Sequence, residues 1–185
     1  MRNIKIGVFA SLLLLLVACN NNQPVGKDGK VYRSAIEYND AIIKNQVGFA
    51  NNYLSVLNKH QVLSEQTLED LKKLSSEAAL SSKIIESMPA YKGDSSFRDA
   101  GVELLNFYSH FLLDEFSTIV KLRMLAGDSI THQYTDSINM LTAKVKKQEV
   151  ELDEKFQRSQ KAFAQKNGFR LDPEKSQEML KKGRE

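Results

Sequence analysis

The sequence predicts an all-α protein, an antiparallel up-down bundle of four helices, and three observations predict it. Apolar residues return at steps of three and four over four long stretches, the spacing of one helical face. The three prolines, Pro24, Pro89 and Pro173, all fall outside those stretches, where an interior proline would cost a helix about 3 kcal/mol. No run alternates apolar and polar residues over a length that would make a strand. Long helices joined by short breaks favour antiparallel neighbours, with an extended coiled coil as the alternative.

The first helix is expected over 31–60, with Tyr32, Ile36, Ile43, Val47, Ala50, Leu54 and Leu57 along its inward stripe. The second, over 65–88, carries Leu68, Leu71, Ala78 and Ile85, and Ser64 or Gln61 stands near its cap. The small residues from Ser75 to Ser82 allow it close approach to a neighbour, as do Gly48 and Gly101 elsewhere. After the break from Pro89 to Asp94, Asp94 and Ser95 are natural caps for a third helix over 95–126. Gly127 ends that helix and Asp128 can cap the fourth, over 129–167. There Tyr134, Ile138, Leu141, Val145, Gln148, Leu152, Phe156, Ser159 and Phe163 keep the cleanest period in the chain. Asn167-Gly168-Phe169 predicts a left-handed glycine just past the helix, with Phe169 folding back on Phe163 or Ala164. The bundle therefore spans 31–167, and 168–185 form a polar tail.

Little in these helices points to chemistry. A di-iron bundle needs Glu-x-x-His pairs, yet the residues three before His60, His110 and His132 are Leu57, Phe107 and Ser129. The one cysteine cannot supply a c-type haem site, and zinc-protease, P-loop and dinucleotide fingerprints are absent. No cofactor and no metal are expected. His110 and Asp114 share one side of the third helix, but Glu103, Asn106, Ser117 and Lys121 continue that side as a solvated stripe. Lys144, Lys146, Lys147, Lys155, Arg158 and Lys161 are interleaved with Glu149, Glu151, Asp153 and Glu154, which reads as a surface of weak i,i+4 pairs such as Lys147/Glu151 and Glu154/Arg158. Asn39, Glu115 and Gln148 fall on or beside otherwise apolar faces; Glu115 is expected to pair with a neighbouring cation or reach solvent.

The third helix carries more apolar side chains than one stripe can bury: fourteen positions between Val102 and Leu125. It is either central or partly exposed. Phe107, Leu113, Phe116 and Val120 are the positions proposed to contact a partner. A non-enzymatic interaction or structural module, with a protein partner, is the expectation; a carrier or sensor of a small apolar ligand held between helices is the alternative.

The chain begins with Arg2 and Lys5, followed by an uncharged apolar run from Ile6 to Val17. Crossing a bilayer takes about 20 apolar residues, whereas the apolar region of an export signal runs to roughly 7–15. The run ends in Leu16-Val17-Ala18-Cys19, which resembles the lipobox of bacterial lipoprotein precursors. That resemblance implies a signal peptide over 1–18 and a diacylglycerol thioether on Cys19, usually with a third acyl chain on its amine. Two or three chains hold stably where one is marginal. Asn20 lacks the aspartate associated with inner-membrane retention, so the resemblance implies the outer membrane, periplasmic or surface side open.

Cys19 is the only cysteine, so no disulfide framework is possible. Removing 18 of the 185 residues leaves 167, enough for one domain with a sizeable core. The signal takes two of the 26 basic residues with it, leaving 24 against 23 acidic ones. That balance leaves no electrostatic footprint for nucleic acid. Residues 19–30 comprise the lipid-bearing cysteine and a tether, Asn20 to Lys30, expected to be flexible with a mean reach of about 17–20 Å.

Overall fold

The structure, a computed structural model, describes residues 25–27, 29–60, 62–126 and 132–172. The signal peptide expected over 1–18, Cys19, the expected Gly127–Asp128 break, Pro24, Pro173 and most of the expected C-terminal tail lie outside the described residues. The fold is all-helical: α1 (Ala35–Lys59), α2 (Glu65–Glu86), α3 (Ser96–Phe111), a π-turn (Leu112–Phe116), α4 (Ser117–Ala126) and α5 (His132–Lys166). Among the described residues the only β-type pairings are two isolated bridges, Val25 with Val31 and Tyr91 with Asp94.

Each boundary has a local cause. Ser34 is extended and its hydroxyl accepts from the Glu37 N–H at 3.1 Å, while the Glu37 carboxylate accepts from the Arg33 N–H at 2.9 Å. Two amide donors that α1 leaves unpaired are thereby satisfied, and the helix starts at Ala35 rather than at 31. Ser64 caps α2 with its N–H donating to the Thr67 hydroxyl oxygen at 3.0 Å. Between α2 and α3 a tight turn pairs Tyr91 and Asp94 through both backbone bonds, with Lys92 and Gly93 in the left-handed region. Asp94 then accepts from the Ser96 N–H at 3.0 Å, in the capping role expected of it. At the far end of α5, Gly168 has φ +71°, its N–H donates to the Gln165 carbonyl, and the Phe169 N–H donates to that of Ala164. The Phe169 ring meets Phe163 edge-on at 6.0 Å, so the predicted glycine ending is present in full.

α3 is the central helix, packed on α2 along most of its length and on α5 along its other side. The small residues of α2 allow the first contact: Ala78 is fully buried, the Ser75 hydroxyl donates to the Ser109 carbonyl at 2.7 Å, and that of Ser82 to Val102 at 3.4 Å. On the other side a Cβ at Gly101 would come within 3.3 Å of both Ile42 and Phe156. A larger residue at 101 would make the Ile42 and Phe156 side chains give way by a few tenths of an ångström. Gly48 has no such neighbour, contrary to expectation.

Two aromatic clusters hold the helices together. One joins Tyr32, Tyr38, Tyr91, Phe97, Phe156 and Phe163, with neighbouring centroids 5.2–5.4 Å apart. The Tyr38 hydroxyl donates to the Pro89 carbonyl at 2.8 Å, and burial pushes its pKa far above the ordinary phenol value. The other cluster begins with Phe49, Tyr53 and Tyr108. The predicted α1 stripe needs correction. Ile36 and Leu57 are exposed, and the buried face runs through Ala35, Tyr38, Asn39, Ile42, Ile43 and Phe49. On α5 the predicted period stands at Ile138, Val145, Phe156 and Phe163, all buried, while Gln148 is exposed.

Candidate binding groove beside the π-turn

The surplus apolar residues of the third predicted helix are distributed by its interruption. In an unbroken α-helix, residues five apart lie about 140° apart around the axis. Phe111 and Phe116 would then face different ways. The π-turn absorbs one residue, and the two rings stack with centroids 5.4 Å apart and planes within 3°. Phe107 stacks on Phe111 in turn, 5.9 Å away and within 4°, and meets Tyr108 edge-on at 5.4 Å. An aromatic ladder thus runs from Phe49 and Tyr53 in α1 across α3 to Phe116. The buried Ser117 hydroxyl donates to the Leu112 carbonyl at 2.7 Å, which holds the turn in place. Such turns are rare and concentrate at functional sites.

At the end of the ladder, between the π-turn, α4 and α5, lies an open groove of about 520 Å³. Leu63, Phe111, Phe116, Ile119, Val120 and Val145 form its apolar lining, and Arg123, Thr142, Lys146 and Glu149 its polar edge. Arg123, Thr142 and Lys146 are exposed to solvent. Glu149 accepts a hydrogen bond from the Tyr108 hydroxyl at 2.6 Å. Burial, and then this carboxylate, raise the Tyr108 pKa far above the ordinary phenol range. Burial and the same negative charge push Tyr53 up to about 12. Both phenols remain protonated near neutral pH, and Tyr108 acts as a donor rather than a base.

The four positions proposed from the sequence separate here. Phe116 is half-buried and lines the groove; Phe107 is half-buried within the ladder. Leu113 is 48% exposed and stands outside the groove lining. Val120 is 1% exposed and lines the groove from below, as part of the core. The polar stripe of Glu103, Asn106, His110, Asp114 and Lys121 is exposed as expected, but the π-turn rotates Ser117 inward. The His110 ring engages the Asn106 carbonyl at 2.7 Å, and no three His, Cys, Asp or Glu side chains among the described residues are grouped to hold a metal ion.

Glu115 pairs with Lys144 at 3.2 Å, and Lys155 with Glu103, so two cross-helix ion pairs tie α5 to the third helix; the expected Arg158–Glu154 contact lies within α5. Buried Asn39 accepts from Gln160 at 2.9 Å.

A second polar cluster closes the α1–α2 connection, and the sequence did not single it out. Asp70, buried, accepts from Lys59 at 2.6 Å and Gln66 at 3.0 Å, and its Oδ2 lies 2.9 Å from His60 Nε2. The other ring nitrogen of His60 meets the Thr67 hydroxyl at 3.2 Å. Hydrogen bonds from Lys59, then His60, hold the Asp70 carboxyl well below the usual carboxylate range. Thr67 is buried and occupied by the α2 cap, so the Asp-His-Thr string is a clasp for the connection and leaves no accessible nucleophile.

No protein-family model matches the chain, and no curated protein or solved structure matches it either. No helix among the described residues is long and apolar enough to cross a membrane.

Proposed function

We propose that this chain is the precursor of an envelope lipoprotein whose mature part is a non-enzymatic binding module, attached by acylated Cys19 to the outer membrane. The lipobox supports the attachment. For the helices we propose the antiparallel up-down arrangement. In its support, Tyr38 near the start of α1 meets Pro89 after α2 and Phe163 near the end of α5, while Lys59 and His60 meet Asp70 near the start of α2. Phe97 at the start of α3 likewise meets Phe163.

The observation that carries the binding function is the groove beside the π-turn, an apolar trough open to solvent between two helices. Troughs of this kind take the apolar face of a helix from another protein, and the exposed Arg123 and Lys146 favour an acidic flank on that partner. The groove's one carboxylate is engaged by Tyr108, which leaves no free acid/base pair in the groove lining. A second proposal rests on the same lining, since its volume falls within the range of small-molecule sites: a small apolar ligand between the helices. A photo-crosslinking side chain at Ile119 separates the two in cells. A discrete protein adduct, lost in a folded Phe116→Asp variant, supports the module. Adducts to lipid or small molecules alone favour the carrier, and no adduct of either kind overturns the groove as the site.

A further inference from the structure

We infer that the mature protein stands on its bilayer by the end where α1 begins and α5 stops, with Lys27, Lys30, Arg33 and Lys92 toward anionic headgroups. The inference rests on the lipid-anchored reading above.

Its first support is the short path from lipid to fold. The eleven-residue tether expected from the sequence is pinned well before its end. Val25 bridges Val31, the Gly26 N–H donates to Lys30 at 2.7 Å, and the Lys27 N–H donates to the Ser87 carbonyl at 3.1 Å. Tyr32 is then buried in the aromatic cluster. Six Cα-to-Cα steps separate Cys19 from Val25, and at 3.3–3.6 Å each they cover at most about 20–22 Å. The acylated residue is therefore confined to the neighbourhood of the loop that follows α2.

The second support is the charge carried at this end. Lys27, Lys30, Arg33 and Lys92 are all exposed. Lys30 and Lys92 lie over the Tyr32 and Tyr91 rings at 5.2 and 5.6 Å, and both rings pack on Tyr38, so these residues belong to one end of the molecule. Of the carboxylates nearby, Asp94 pairs with Lys166 at 2.6 Å and Asp99 with Arg98 at 2.8 Å, while Glu86 and Glu37, whose carboxylate accepts from the Arg33 backbone, are exposed. Each basic residue near an anionic leaflet strengthens attachment about fivefold. With acyl chains supplying the affinity, the charges set the orientation. At about 1.5 Å per residue, the nineteen residues from Phe97 to Phe116 rise about 28 Å along the third helix and the twenty-eight to Leu125 about 42 Å. The groove therefore lies well clear of the anchoring membrane, within reach of a partner on the aqueous side.

The test uses acylated protein in vesicles of anionic and neutral phospholipid carrying a headgroup quencher. Acylation occupies the one native thiol, so a fluorophore can be placed uniquely at Lys92→Cys or at Leu125→Cys. Flotation comes first: protein that does not float with the vesicles overturns the anchored reading and this orientation with it. For protein that floats, we expect emission to be lost at position 92 and kept at position 125. Adding Lys27→Glu and Lys30→Glu should restore emission at 92 without release from the vesicles. Equal quenching at both positions, quenching at 125 alone, or full quenching at 92 despite the charge reversals would each overturn the inference while leaving the anchor standing.

Discussion

Replacing Leu105 by alanine should cost about 3–5 kcal/mol, whereas the same change at Leu113, eight residues on, should cost less than about 0.5 kcal/mol. Both leucines belong to the apolar surplus that makes the third predicted helix ambiguous. Leu105 is fully buried in α3, the helix packed between α2 and α5, and removing its isopropyl group leaves a void that the close α2–α3 packing resists filling. Leu113 lies in the π-turn and is 48% exposed, so about half of it is in water already in the folded state and truncation encloses no void. Val120→Ala, at a fully enclosed position, should fall between them at about 2 kcal/mol, from two lost methyl-sized groups and a modest cavity. For a domain of this size each kcal/mol moves the midpoint by about 2–4 °C. Thermal unfolding followed by circular dichroism should therefore show a drop of roughly 6–20 °C for Leu105→Ala and about 2 °C or less for Leu113→Ala. If Leu113→Ala matched Leu105→Ala, or Val120→Ala cost nothing, the division of this helix into core and surface would be wrong, and with it the choice of groove.

Three further outcomes follow from particular contacts. Ser117→Ala removes the hydroxyl bond to the Leu112 carbonyl inside the π-turn and should lower stability by about 0.5–1.5 kcal/mol in chemical denaturation; an unchanged midpoint would mean the turn does not depend on it. Gly168→Ala forces a Cβ into the left-handed region at φ +71° and should cost about 1–2 kcal/mol, although open space surrounds the position; a neutral result would show that the α5 ending frays without consequence. Asp70 is held below the usual carboxylate range by Lys59 and His60, so its contribution is complete above the unfolded value of about 3.9 and fades as pH falls through the lower native value. Denaturation midpoints measured between about pH 5 and pH 2 should accordingly fall more steeply for the native chain than for Asp70→Asn, and parallel curves would remove the clasp from the account.

The helices were legible in the sequence wherever one stripe of residues decided burial. α5 has a single buried face, and its period and glycine ending are both visible as written. α1 was misread because apolar residues occur on more than one side of it. Periodicity cannot rank Ile36 against Tyr38, and the choice is made by the tyrosine and phenylalanine rings converging from other segments. The π-turn left no local mark either. Its one trace is the five-residue spacing of Phe111 and Phe116, which becomes meaningful only once the rings are seen to stack. That shift also explains why Ser117 is buried within an otherwise solvated stripe, and why Val120 sits beneath the groove. The Asp70 clasp was hidden for a different reason. Its members come from α1, from the connection and from α2, and no fixed sequence spacing announces contacts that a helix reversal creates.

Carriage of these helices at the envelope on a lipid is decided by the mass of the intact protein extracted from cell membranes. The mature chain should start at Cys19 and carry a diacylglycerol thioether, with the added mass absent from Cys19→Ser while its helical circular-dichroism signal is unchanged. A mature chain starting elsewhere, or starting at an unmodified Cys19, would contradict that carriage.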